Sequence, residues 1–143
     1  MGAIISVRTR LKTILDALVA TTTLAAVYNY QPIKPTKTPF AALLFGGGNE
    51  NLVDSVANEF ESEFLIRVVV EEITDYSTQE TKLLTATDAI LDEIRDDDNW
   101  TLSGDAHFLL STSVSAILSS KLESTPVLYQ EITVKAKTLK STI

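Results

Sequence analysis

Apolar and polar positions alternate along residues 63–73, a stretch rich in β-branched side chains. One face of an extended chain would carry Phe64, Ile66, Val68 and Val70. The other face would carry Leu65, Arg67, Val69 and Glu71. This period of two predicts a long strand with one buried face and one wetter face.

Two segments have the three- and four-residue spacing of amphipathic helices, and they cover residues 6–19 and 78–95. Ser77 and Glu80 have the spacing of a capping box, which predicts that the second helix begins near Thr78. The buried stripe of this helix is expected to comprise Leu83, Leu84, Thr87, Ile90, Leu91 and Ile94. Both helices should lay their apolar faces on a sheet.

Four further segments have the composition of strands, namely residues 24–30, 40–45, 106–121 and 128–139. The second of these strands is expected to end at Gly46, Gly47 and Gly48, since glycine clusters punctuate loops. Residues 51–60 fit either a short turn of helix or irregular structure. Residues 106–121 fit either one bent strand or two short strands. Pro126 is expected just ahead of the last strand.

The predicted order is one helix, three strands, a second helix and further strands, without alternating strand and helix units. It predicts an α+β fold with a mainly antiparallel sheet of about five strands and two helices packed on one face. No repeat or composition break divides the chain, so residues 1–143 are taken as one domain. One core cluster is expected to contain Ile66, Val68, Leu91, Ile94, Ile132 and Val134.

Composition narrows the possible chemistry. The 143 residues are 45% hydrophobic, enough for a sizeable core, and no run of about 18 uncharged apolar residues suggests a membrane span. Without cysteine there can be no disulfide or thiolate metal site, and the single histidine excludes a multi-histidine site within one chain. No sequence signature of an enzyme is present.

The charges are unevenly distributed along the chain. Residues 1–37 contain five Lys or Arg and one acid, residues 38–105 contain three and sixteen, and residues 106–143 contain four and two. An acidic centre between two basic ends would let identical copies attract one another head to tail. The alternative is an acidic surface that only favours solubility. The acidic balance argues against broad binding to duplex DNA.

Two loops are candidates for function. Pro32, Pro35 and Pro39 hold an extended connector, which predicts that residues 31–38 form an exposed arm or loop. Asp96, Asp97, Asp98 and Asp105 could together bind a divalent cation through oxygen ligands. The alternative for these aspartates is a solvated acidic loop without a ligand.

The chain resembles the tail terminator, or tail completion, proteins of long-tailed bacteriophages. The resemblance rests on chain length, the Arg-bearing helix of residues 7–18, the strand of residues 64–73 followed by the helix of residues 78–95, and the late strand of residues 128–139. It covers nearly the whole chain. This family is recognised by element order and size, so the resemblance transfers no catalytic position.

The resemblance implies a structural, non-enzymatic role without a cofactor. Subunits of this family close into a ring, usually of six, that caps the tail tube, stops its elongation and contacts the head connector. It also implies assembly in the host cytoplasm and a place in the virion, at the head-proximal end of the tail. The alternatives are another neck or head–tail adaptor protein, or a small cellular domain that binds a cation or ligand through residues 96–98.

In such a ring, genomic DNA would pass through without specific binding. Glutamates of the acidic centre are expected to line this passage, because like charges keep DNA from sticking to the wall. They are Glu59, Glu61, Glu63, Glu71 and Glu72. The alternative is that they solvate an outer face. Lys34, Pro35 and Lys37 of the arm are candidates for subunit contacts.

Overall fold

The computed structural model describes residues 3–34, 37–52, 57–71, 75–96 and 107–141. Its elements are α1 (Ala3–Ala20), β1 (Ala26–Tyr28), β2 (Phe40–Leu52), β3 (Ala57–Glu71), α2 (Tyr76–Arg95), β4 (His107–Val114), β5 (Leu118–Leu122) and β6 (Thr125–Ser141). The sheet has the order β1-β2-β3-β6-β4, and β5 also pairs with β6. The predicted α+β class is confirmed, with six strands instead of about five.

Strands β3 and β6 form the centre of the sheet. They pair antiparallel in one unbroken register, from Ala57 opposite Ser141 to Glu71 opposite Val127. The predicted alternation in β3 is confirmed, because Phe64, Ile66 and Val68 are fully buried. On β6, residues 128, 132, 134 and 136 are buried on the same side. These faces give the sheet its apolar side.

Both helices cover that apolar side. Val7, Leu11 and Leu15 of α1 join Ile90 and Ile94 of α2 in one core cluster with the sheet. The cluster contains all six residues predicted for it, which are Ile66, Val68, Leu91, Ile94, Ile132 and Val134. The prediction of two helices on one face is therefore confirmed.

The predicted burial of one residue in the apolar stripe of α2 is wrong. Leu84 is 41% exposed, whereas Leu83, Thr87, Ile90, Leu91 and Ile94 are buried. Successive helical residues are rotated by about 100°, so Leu84 lies at the boundary of a stripe centred on Ile90 and Ile94. Ala86 fills the position on the other side of that stripe.

The beginning of α2 also differs from the prediction. The N-cap is Asp75, and the helix begins at Tyr76. The Asp75 carboxylate accepts hydrogen bonds from the Thr78 hydroxyl (2.7 Å) and from the backbone N–H groups of Ser77 (3.1 Å) and Thr78 (3.4 Å). The Thr78 hydroxyl is the largest of the causes that lower the pKa of Asp75. The carboxylate satisfies free N–H groups of the first turn through charge-assisted bonds.

The glycines do not end β2, contrary to the prediction. The strand continues through Gly46, Gly47 and Gly48 to Leu52, and it contains a bulge between Phe45 and Gly47. Gly47 has a φ of 119°, a backbone conformation that other residues rarely adopt. The glycines therefore permit an irregular turn of the strand without breaking its pairing with β3.

Residues 51–60 are neither helical nor irregular where they are described. Asn51 and Leu52 end β2, and β3 begins at Ala57. The two strands form an antiparallel hairpin in which Leu52 lies opposite Asn58. Local sequence gave no signal for this pairing, because its partners are glycine, asparagine and glutamate rather than β-branched residues.

The C-terminal third forms three strands. Residues 106–121 contain two short strands, β4 and β5, which is one of the two predicted alternatives. Strand β6 begins at Thr125, so Pro126 lies inside the strand rather than ahead of it. Pro126 sits opposite Lys121 in the β5–β6 hairpin, next to a turn in which Glu123 has a φ of 56°. A position beside the turn tolerates the missing N–H donor.

Truncation of the core should be costly, and Ile94 and Leu84 of α2 offer a matched comparison. We expect Ile94→Ala to lower the free energy of unfolding by about 2–4 kcal/mol, because it leaves a cavity in the main core. Leu84→Ala on the exposed edge of the same helix should change it by less than about 1 kcal/mol. Chemical denaturation of both variants measures the difference. Equal effects would mean that the faces of α2 are assigned wrongly.

Candidate functional site

The side of the sheet opposite the helices carries paired charges. Odd-numbered residues 61–71 of β3 and 127–137 of β6 lie on this open face, where Glu61 is opposite Lys137 and Glu63 is opposite Lys135. Arg67 is opposite Glu131, and their side chains form an ion pair of 3.0 Å. The central strands therefore hold a ladder of opposite charges, which stabilises antiparallel pairing.

The β3–β6 register brings together some of the glutamates that are candidates for lining a DNA passage. Glu61, Glu63 and Glu71 share the open face of β3, and each is partly exposed. Glu59 has the same parity on β3, but its side chain lies outside the described set, and Glu72 lies outside the described residues. Sequence reasoning missed the lysines opposite, because the β3–β6 register joins residues more than seventy positions apart in the chain.

Arg67 organises the other half of the open face. Its Nη1 donates to Gln31 Oε1 (2.8 Å), its Nη2 donates to Glu131 Oε2 (3.0 Å), and its guanidinium lies 5.4 Å from the centre of the Tyr129 ring. The Arg67 Nε is buried and has no hydrogen-bond partner among the described residues. These contacts tie the loop after β1 to the centre of the sheet.

A second, smaller apolar cluster surrounds this network. It consists of Phe40, Ala42, Val69, Leu122 and Val127. Beside it, a cleft of about 290 Å³ opens between residues 31–33 and the β5–β6 hairpin. Arg67, Val69 and Tyr129 line the cleft from the sheet, and Lys121 lines it from β5. The cleft thus combines apolar walls with two cationic side chains.

The predicted arm is only partly free. Lys34 and Lys37 are exposed as expected, and Pro35 lies outside the described residues. Pro32, however, is buried, and Gln31 accepts the bond from Arg67. The start of the segment is therefore fixed to the sheet, which leaves Lys34 and Lys37 as its accessible positions.

The aspartates that are candidates for cation binding lie largely outside the described residues. Asp96 is the C-cap of α2, and Asp97, Asp98 and Asp105 are not described. Among the residues that are described, no group of three or more His, Cys, Asp and Glu could hold a metal ion. Within the same ranges, neither helix is long and apolar enough to cross a membrane.

Both outer edges of the sheet leave backbone groups without a strand partner in the described part of the chain. On one side, β1 pairs with only the first residues of β2, Phe40 to Ala42, so the rest of β2 has a strand on one side alone. On the other side, β4 pairs only with β6. Phe45 on β2 and Val114 on β4 are 49% and 41% exposed. Such edges are places where another strand can add.

No protein-family model matches the chain, and no curated protein matches its sequence. Its fold does match a solved structure, a chain in the virion of a native gene transfer agent (GTA) particle. That match has a TM-score of 0.57 and covers 93% of this chain and 94% of the other. The sequence identity is 14%, so the match shows a shared fold.

Gly48 tests how closely the β2–β3 hairpin is packed. A Cβ at this position would lie 2.7 Å from the Glu61 carbonyl oxygen and 2.9 Å from Cζ of Phe60. We therefore expect Gly48→Ala to force the two strands apart and to speed amide hydrogen exchange in residues 47–52 and 57–63. Asn49→Ala, at the exposed neighbouring position, should leave exchange unchanged. Unaltered protection in Gly48→Ala would contradict the close approach.

Proposed function

We propose that this chain is a phage-like structural virion protein that acts as a tail terminator, in a ring that caps the tail tube. The observation that carries the proposal is the fold match to a GTA virion chain, which extends over nearly the full length of both chains. The predicted element order and the absence of an enzyme signature support the same role. The ring is proposed to be hexameric and to lie between the tube and the head connector.

Strand directions support a closed ring. Strands β2, β3, β6 and β4 are neighbours and alternate in direction, so β2 and β4 run opposite to each other. If copies are related by rotation about an axis along the strands, β4 of one copy meets β2 of the next in antiparallel orientation. Such an interface would join two different surfaces, and it closes into a ring when the rotation between copies is a whole fraction of a turn.

The side chains at the two edges are compatible with this pairing. Strand β4 contains no Lys, Arg, Asp or Glu, and residues 40–49 of β2 contain none. Charged residues are a common device that keeps edge strands apart. Their absence here leaves the unpaired N–H and C=O groups, with Phe45 and Val114 beside them, available to a neighbouring copy.

The open face of the sheet is proposed to line the passage for DNA, since the helices occupy the other face. Glu61, Glu63 and Glu71 would then point towards DNA, with Lys135 and Lys137 interspersed. Because acidic and basic side chains are mixed on this face, it is not a continuous cationic surface. A continuous cationic surface would hold phosphates in a salt-dependent way. Glu59 and Glu72 are included in this proposal because they lie in the same acidic segment of the sequence. Lys34, Pro35 and Lys37 are proposed as subunit contacts.

The terminator role is tested by adding the purified protein to polymerising tube subunits of the same virion. We expect shorter tubes with density bound at one end in negative-stain images. Unchanged tube lengths and bare ends would exclude the terminator role, and binding to the connector alone would favour an adaptor instead.

Val114 provides a variant that separates ring formation from folding. The N–H of Ser115 donates to the Glu131 carbonyl of β6 (2.9 Å), so by alternation the N–H of Val114 points away from β6. Val114→Pro removes that outward donor without removing a bond of the β4–β6 ladder. In the capping assay it should fold but fail to cap tubes, whereas Val114→Ala should cap them normally. Normal capping by Val114→Pro would exclude pairing through β4.

The lumen assignment is tested by a triple variant, Glu61→Lys, Glu63→Lys and Glu71→Lys. Added cations facing the passage should retain DNA phosphates, so particles with this variant should assemble and release their genome more slowly, most visibly at low salt. Exchanging the exposed helix residues Asp88 and Asp92 for Lys provides the control. Release at the normal rate, or a ring structure with the three residues on its outer rim, would exclude the assignment.

A further inference from the structure

We propose that the cleft between residues 31–33 and the β5–β6 hairpin binds an acidic side chain and its aliphatic neighbour from a segment of a partner protein. The partner is taken to be another virion subunit, and in this respect the inference rests on the proposed function. The site lies on the open face of the sheet, where it begins on β3 at Arg67, four residues along from Glu63. It includes no residue of β2 or β4. It is therefore a second contact surface, distinct from the edges that are proposed to close the ring.

The guanidinium of Arg67 supplies the polar recognition. An arginine side chain has five N–H donors, and the bonds to Gln31 and Glu131 use one on each terminal nitrogen. The Nε donor is buried and has no partner among the described residues. The side chain as a whole is 28% exposed and lines the cleft. An acceptor oxygen in the cleft would bond to the second N–H that each terminal nitrogen keeps.

The local charge favours a carboxylate as that acceptor. Glu131 already balances one positive charge through its 3.0 Å ion pair with Arg67. Lys121, which is exposed and lines the same cleft, adds a second positive charge. A carboxylate between Arg67 and Lys121 would make charge-assisted bonds, which are about twice as strong as neutral ones.

The remaining walls favour an aliphatic group beside the carboxylate. Pro32, Val69, Leu122 and Val127 line the cleft together with Tyr129. These groups offer no charge to a ligand. Val69, Leu122 and Val127 are already buried, so a short aliphatic side chain next to the acid would gain mainly by removing its own surface from water.

A protein segment explains the surroundings better than a free small molecule. The cleft volume of about 290 Å³ is at the lower limit for small-ligand sites. Its apolar surface is open to solvent, because Ile33, which lines it, is 76% exposed and Tyr30, on the same loop, is 61% exposed. A chain segment would cover Ile33 and Tyr30 while its acidic residue occupies the cleft, as anchor residues do in protein interfaces.

The experiment follows the Nε–H signal of Arg67 by NMR in the full-length protein. The probe is the peptide acetyl-Ala-Leu-Asp-Ala-amide, and its matched control replaces the aspartate by asparagine. We expect a saturable shift of the Arg67 signal with the aspartate peptide and none with the asparagine peptide. No shift, or equal shifts with both peptides, would overturn the proposal.

Lysine variants locate the site. Lys121→Gln should weaken binding of the aspartate peptide by roughly threefold, the size expected for one exposed ion pair. Lys82→Gln, at an exposed position of α2, should leave it unchanged. Both substitutions are at exposed positions, so both variants should fold. Equal weakening in the two variants, or none in Lys121→Gln, would place the peptide elsewhere and overturn the proposal.

A third probe separates a protein segment from a free ligand. If free 4-methylpentanoate bound as tightly as the peptide, the cleft would be a small-carboxylate site and the assignment to a protein segment would be wrong. Peptide binding is measured on the protein alone, so it does not depend on the tube-capping assay. Peptide binding without capping would support the cleft and exclude the terminator role, and capping without peptide binding would do the reverse.

Discussion

The continuous pairing of β3 with β6 is the constraint on which the other features depend. Its register sets Phe64 beside Val134 and Ile66 beside Ile132 on the helix side, which builds the main core. The same register sets Arg67 beside Glu131 on the open side. A shift by one residue would reverse both faces at once, because strand side chains alternate. One alignment therefore specifies the core and the charged face together.

The elements with strong periodicity could be predicted from the sequence, since their pattern reflects burial on one side. Strand β3, the two helices and β6 belong to this class. Elements whose structure depends on a distant partner could not be predicted. Gly46, Gly47 and Gly48 are a loop signal locally, yet pairing with β3 keeps them in a strand. Asp75 was missed as a cap because the Ser77 and Glu80 spacing pointed two residues further along.

The same distinction applies to the candidate surfaces. The acidic residues of β3 were recognisable as a group, because they alternate along one segment. Their lysine partners were not, since Lys135 and Lys137 come from the far end of the chain. The cleft was beyond prediction for a similar reason. It needs a loop, a central strand and a hairpin to meet, and only the folded register brings Gln31, Arg67 and Lys121 together.

The bulges have a consequence for the shape of any assembly. Strand β2 has an extra residue between Phe45 and Gly47, and β4 has one between Leu109 and Ser111. Both bulges are level with Lys135 of β6, one on each side of the two central strands. Bulges increase local twist and bend a strand, so β2 and β4 are expected to bend at nearly the same level of the sheet. If copies join by these edges, as in the proposed ring, a bend at one level would give the ring two mouths of different width.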